Sequence, residues 1–192
     1  MEQPVHLPLV GQSIMDADEA DLIRAAQAHR SAFAPLYQRY LPRVYYYVRA
    51  RLASDEDAAD LTQQIFLQVL DALPGYRPRG VPFAAWLFQI ARNAVADFYR
   101  RHKTVVSWDA LPGVLQTTEQ DMDASLVHQE RLAHLKTLLA QLDSTQRELL
   151  ALRFAAGLSA PQIALVVGKS HAAVKKQLTR LLHTLKEQYR EQ

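Results

Sequence analysis

"SAPQIALVVGKSHAAVKKQL", residues 159–178, decides how the C-terminal part of the chain folds. Ala164 is small where two helices must cross closely. Gly168 follows four positions later, where a tight turn wants a left-handed residue, and Val174 returns to the core six positions after that. Ser159 is placed to cap a first helix that tolerates Pro161 in its first turn, and Ser170 to cap a second. These spacings predict a helix-turn-helix, with helices over 160–167 and 171–190. Val174, Leu178, Leu181, Leu182 and Leu185 are expected to pack inward. Ser170, His171, Ala172, Lys175, Lys176, Gln177 and Arg180 are left on or beside the exposed side. Such a helix suits the major groove of duplex DNA, where cations hold phosphates and His171, Lys175, Lys176 or Gln177 would read base edges. A helical hairpin in a bundle is the other reading of the same spacing.

The rest of the chain is also helical in pattern, with no sustained period-two run or Asn-Gly hairpin signal, so the predicted class is all-α. A tail with Pro4, Pro8 and Gly11 precedes a helix expected near Asp18. A second helix covers Ser31 to about Leu52, and a third, capped by Ser54, ends before Pro74-Gly75. A fourth occupies 82–103. Residues 104–125 contain Pro112-Gly113 and several acids without an apolar face, and helices return over 126–141 and 144–155. The expected organisation is a tail (1–17), a helical domain (18–103), a flexible acidic linker (104–129) and a second small helical domain (130–192).

Composition excludes several classes. The 192 residues include no cysteine, which removes disulfides, thiolate zinc sites and cysteine nucleophiles and fits a reducing compartment. The opening residues have no basic n-region and no apolar run is long enough for a membrane span, which leads to the expectation of a cytoplasmic protein with no membrane partner. The seven histidines form no H-E-x-x-H pair, and no glycine-rich loop cradles phosphate. No catalytic, metal or cofactor site is therefore expected. The net charge of +2 conceals blocks: residues 74–103 hold six cations against Asp97, whereas 104–130 hold five acids and no lysine or arginine. Two basic regions around an acidic one suggest two anionic contact surfaces joined by a spacer.

The fourth helix, "PFAAWLFQIARNAVADFYRRHK" (82–103), places Phe83, Trp86, Leu87, Ile90, Ala94 and Phe98 on one stripe, the expected core face. Phe88, Arg92, Val95, Tyr99 and Lys103 fall opposite, with Asn93 and Arg100 at the flank. Aromatic and cationic groups together suit single-stranded nucleic acid, because rings stack on bases while cations take phosphates. Packing of Phe88 and Tyr99 against another helix is the competing explanation. In the third helix, Ala58, Leu61, Ile65, Val69 and Leu73 form the core stripe. Leu67 stands on the other side among Asp60, Gln63, Gln64 and Asp71, an arrangement suited to docking on a protein through one apolar anchor, or simply an isolated surface leucine.

Taken together, these segments resemble the extracytoplasmic-function (ECF) sigma factors of bacterial RNA polymerase. "DAADLTQQIFLQVLDAL" is similar to the family's clamp-docking helix. Phe83, Trp86, Leu87, Ile90, Ala91, Arg92, Asn93, Asp97 and Arg100 match its promoter-melting pattern, and "LSAPQIALVVGKSHAAVKKQLTRLLHTLKE" its region four. The resemblance implies that Asp60, Gln63, Gln64, Leu67 and Asp71 dock on the clamp helices of the largest polymerase subunit. It also implies that Tyr76, Arg77, Arg79, Phe88, Ile90, Arg92, Asn93, Tyr99, Arg100 and Lys103 meet the single-stranded minus-ten element, with a base flipped near Tyr76, Ile90 and Asn93. The helix-turn-helix would read the duplex minus-thirty-five element, and region four would contact the flap of the second-largest subunit. An anti-sigma factor is a further expected partner. A conventional DNA-binding regulator is the rival reading; it uses the helix-turn-helix and leaves the 83–103 motif idle.

Overall fold

The computed structural model describes residues 10–102 and 126–190, so Lys103 and most of the expected tail and linker lie outside the described residues. Every element within them is helical. The N-terminal half contains α1 (Val10–Ala28), α2 (Ala34–Arg49), α3 (Asp55–Ala72) and α4 (Phe83–His102). The C-terminal half contains α5 (Leu126–Ala140), α6 (Ser144–Leu150), α7 (Ala160–Val167) and α8 (His171–Arg190).

The first helix begins upstream of Asp18. Pro4 and Pro8 both precede its start, so no later proline stops it from extending back to Val10. A short 3₁₀ turn, Arg30–Phe33, leads into α2, where Pro35 occupies the first turn and exposed Pro42 sits inside the helix. Leu36, Tyr40, Val44, Tyr47 and Val48 recur every three or four residues and are buried. Ser54 caps α3 by accepting from the Asp57 amide at 3.1 Å. Asp55, Glu56 and Asp57 stand at the positive end of its dipole. The predicted stripe Ala58, Leu61, Ile65, Val69 and Leu73 is buried throughout.

In the C-terminal half, Asp143 and Gln146 form a reciprocal capping box that starts α6. The helix expected to run on to 155 instead widens into one π-type turn, Ala151–Ala155, before Gly157. Ser159 and Gln162 form a second box at the start of α7, with Pro161 in its first turn. Gly168 adopts φ 68°, the left-handed conformation expected at the turn, and Ala164 and Val174 are buried. Leu178 and Leu181 pack inward, but Leu182 is 40% exposed, contrary to expectation. It lies about 80° around the helix from Val174, beyond the strip that neighbouring helices cover.

The two halves pack against each other. α4 lies along α7, and α2 meets the 151–155 turn. This arrangement determines what α4 can show to solvent.

Candidate nucleic-acid interface

At 100° per residue, α4 divides into three sectors. Phe83, Leu87, Phe88, Ala91, Ala94 and Val95 are buried in the N-terminal core. Gln89, Arg92, Ala96 and Tyr99 turn toward the C-terminal half or the seam beside it: Gln89 donates to the Leu165 carbonyl of α7 at 2.9 Å, and Ala96 and Arg92 line a cavity with Glu148, Val167 and Lys169. Trp86, Ile90, Asn93, Asp97 and Arg100 make the third sector, in which Asn93 and Arg100 are exposed and the others half-buried.

The assignment of Phe88 to an outward nucleic-acid face is therefore incorrect. Its ring is fully buried, 5.5 Å from Tyr47 edge to face, with the Arg43 guanidinium 5.8 Å from its centroid. Val95 is buried as well. Because helices cover α4 on two sides, its apolar arc is wider than a one-sided amphipathic stripe, and residues opposite Phe83 also face protein. Conversely, Trp86 and Ile90 lie at the open edge of the expected core stripe. Tyr99 is half-buried and donates to the Arg51 carbonyl. Arg92 keeps 43% side-chain exposure, with its Nε 3.9 Å from Glu148.

The structure buries Tyr76 behind this sector, with the residue only 4% exposed, so the expectation that it faces the minus-ten strand directly is not met. The Gln27 amide donates to the Leu73 and Tyr76 carbonyls at 3.0 and 2.9 Å, which ties the loop start to α1, and the Tyr76 hydroxyl donates to the Val81 carbonyl at 2.9 Å, which closes the loop. The Tyr76 ring then packs 4.8 Å from Trp86 and 5.5 Å from Phe83. The loop ring and the line Trp86–Ile90–Asn93 thus share one edge of the N-terminal half. Sequence reasoning did not include Trp86 in the site. Its spacing of four and seven residues from Ile90 and Asn93 was the available signal. Arg77 donates back to the Pro74 and Tyr76 carbonyls at 2.8 and 2.9 Å, whereas Arg79 is exposed. Arg100 pairs with Asp97.

On α3, Leu67 is 61% exposed among exposed Asp60, Gln63, Gln64 and Asp71. Asp71 pairs with Arg30 at 2.9 Å. On α8, Ser170 accepts from the Ala173 amide at 3.2 Å as a cap, and His171, Ala172, Lys175, Lys176, Gln177 and Arg180 are all exposed. Lys169 donates to Gln177 at 3.3 Å. The N-terminal turns of α8 therefore present a cationic and polar face, with Ala172 too short to obstruct a close approach. Among the described residues no cluster of three or more histidine or acidic side chains is arranged to hold a metal ion, and no helix is long and apolar enough to cross a membrane.

A second set of polar groups had no sequence signal. Glu148 of α6 accepts from the Tyr47 hydroxyl at 2.7 Å and pairs with Arg51. Arg43 donates to the Ala156 carbonyl at 2.7 Å. Burial foremost, reinforced by the Glu148 charge, holds the Tyr47 phenol well above its ordinary pKa, so it stays a donor.

Residues 36–105 match the family model of Sigma-70 region 2, and residues 132–185 that of Sigma-70 region 4. The ECF RNA polymerase sigma factor BldN of Streptomyces coelicolor is 33% identical over 177 residues, spanning 88% of this chain and 66% of the relative. The ECF RNA polymerase sigma factor SigD of Mycobacterium tuberculosis is 33% identical over 178 residues, spanning 88% of this chain and 82% of the relative. Among solved structures, CnrH in complex with the cytosolic domain of CnrY superposes with a TM-score of 0.62 at 26% identity, covering 87% of this chain and 94% of that one. With both region matches in order along one all-helical chain, the chain belongs to the ECF sigma factors of RNA polymerase.

Proposed function

We propose that this sigma factor directs core RNA polymerase to promoters by dividing the work among three surfaces. The α3 face of Asp60, Gln63, Gln64, Leu67 and Asp71 docks on the clamp helices of the largest subunit, with Leu67 as the apolar anchor inside a polar rim. The open edge of α4 and its preceding loop take the separated minus-ten strand. Ile90 and Asn93, joined by Trp86, receive an unstacked base, which meets Tyr76 only once that buried ring is uncovered, while Arg77, Arg79, Arg92, Arg100 and Lys103 hold phosphates. α8 enters the major groove at the minus-thirty-five element through Ser170, His171, Ala172, Lys175, Lys176, Gln177 and Arg180.

The observation that carries this reading is the alignment of Trp86, Ile90 and Asn93 on one open edge backed by the buried Tyr76 ring, in a chain that also holds a capped helix-turn-helix. Phe88 takes no direct part and supports α4 from within. Tyr99 acts only after its present contact with Arg51 is released. Residues 18–103 form the docking and melting domain, 104–129 the linker and 130–192 the duplex-reading domain, which also meets the flap of the second-largest subunit. The protein works in the cytoplasm, supplies no catalytic group and is held in reserve by an anti-sigma factor.

Run-off transcription from a promoter library with purified core polymerase tests the assignment. Wild type should select start sites, Asn93→Ala should reduce strand opening at saturating protein, and Lys175→Ala should weaken duplex binding. Binding to duplex operators without polymerase, and no initiation with it, would leave a conventional regulator.

A further inference from the structure

We propose that Gln27, at the end of α1, is a positioning residue for minus-ten recognition, holding the loop 76–82 so that the wall behind the base-receiving edge keeps its place. The inference rests on the promoter-binding roles proposed above.

α1 lies ahead of the residues matched to region 2, which begin at Leu36, so the family match assigns it no role. Its end is fixed firmly enough to serve as an anchor. Ile23 and Ala26 are buried in the N-terminal core, and Arg30, just past the helix, pairs with Asp71 in the last turn of α3 at 2.9 Å. Gln27 stands between these contacts, beside the short turn Leu73–Gly75 that follows α3.

The loop after that turn has little of its own to hold it. Pro78 and Pro82 offer no amide, Gly80 sits at φ 79°, and Arg77, Pro78, Arg79 and Gly80 are exposed. The Tyr76 hydroxyl bonded to the Val81 carbonyl and the Arg79 amide bonded to the Arg77 carbonyl at 2.8 Å close the loop on itself without fixing it to the body. Gln27 supplies that tie. Its side-chain nitrogen carries two hydrogens, and they go to the Leu73 and Tyr76 carbonyls at 3.0 and 2.9 Å, on either side of Pro74-Gly75. Tyr76 is thus held twice, at its carbonyl by α1 and at its hydroxyl by the far end of the loop. Its ring in turn backs Trp86 at 4.8 Å, on the edge that carries Ile90 and Asn93, and the placement of Arg77 and Arg79 follows from the same anchor. A base entering this edge is discriminated only as sharply as the wall behind it is fixed, so a side chain that does not itself touch DNA sets part of the selectivity.

The test uses the full chain with core polymerase. Gln27→Met keeps a side chain of similar length and removes both donors, and Gln27→Glu keeps the shape but sets a carboxylate against two carbonyls. Because the chain has no cysteine, Arg79→Cys provides a single site for a nitroxide on the loop. In the free chain the label should be more mobile in both variants than beside the native Gln27, and most mobile with Gln27→Glu. Without the label, both variants should bind core polymerase as tightly as wild type. Across promoters that differ by single bases in the minus-ten element, the preference for the best base should fall roughly three- to tenfold, about the worth of one neutral hydrogen bond. A general loss of folded protein would lower transcription from all promoters alike and leave that ratio unchanged. Unaltered label mobility in both variants, or an unaltered base preference in a loosened loop, overturns the role of Gln27. A wild type that initiates from no promoter overturns the proposed function, and the label mobility still decides whether Gln27 holds the loop.

Discussion

The Tyr47 hydroxyl donates to a Glu148 carboxylate oxygen at 2.7 Å across 101 residues of sequence, from a ring that is fully buried. One hydrogen bond thus couples the helix that supports α4 to the helix before the helix-turn-helix. Tyr47→Phe keeps the ring but leaves Glu148 short of a donor where water has little access. The expected loss is about 1.5–3 kcal/mol, the range for a hydrogen bond to a charged group. It should appear as a lower urea midpoint for the intact chain.

Alkaline pH should destabilise the fold in a defined direction. Burial, and then the neighbouring Glu19 and Glu148, push the phenols of Tyr40 and Tyr47 above their ordinary value near 10. A folded-state pKa above the unfolded one means that the folded chain holds the proton longer. The stabilisation is complete below about pH 10 and is lost as pH rises toward the folded values, by up to about 1.4 kcal/mol per pH unit for each tyrosine. Urea unfolding at pH 8, 10 and 11 should show a plateau followed by a fall, shallower in Tyr47→Phe. A flat profile to pH 11 contradicts it.

Leu67→Asp should leave thermal stability within about 0.5 kcal/mol of wild type, because the side chain is 61% exposed. Binding to core polymerase should weaken by roughly tenfold or more if Leu67 is the central anchor. Calorimetry on the free chain and a pull-down with core enzyme read the two effects separately.

Lys175→Ala and Lys176→Ala each remove one exposed cation from the α8 face proposed to read duplex DNA. If each holds one phosphate, affinity should fall across all promoter sequences, and the slope of log affinity against log salt should decrease by about 0.9 per residue. A titration at several salt concentrations measures it. Loss confined to one promoter sequence would instead mark the lysine as a base reader.

Gly168→Ala tests the turn. The backbone sits at φ 68° with nothing within 4 Å of the added carbon, so the cost is conformational, about 1–2 kcal/mol. Thermal unfolding should show that loss, with little change in the α8 face.

Local chemistry decided much of the architecture and was readable in advance. Ser159, Gly168 and Ser170 act within a few residues of themselves, and the helices they bound end where capping and left-handed geometry require. The same holds for Ser54 and for the α3 stripe, which needs only one buried side to define it. The Leu67 face followed as the remainder. Periodicity failed on α4 because it records that a side chain is apolar, not how many neighbours surround the helix. Phe88 and Val95 read as outward until α2 and α7 are both in place, and Trp86 reads as core until Tyr76 arrives from the loop.

Sequence alone therefore determined the all-helical class, the helix-turn-helix and the family, since each depends on spacings within one segment or on the order of segments. Only the tertiary structure decided which of the α4 residues are open, and that Tyr47, Arg51 and Arg92 converge on Glu148. Contacts between residues about a hundred positions apart depend on how two packed halves meet, and no local period encodes that relation.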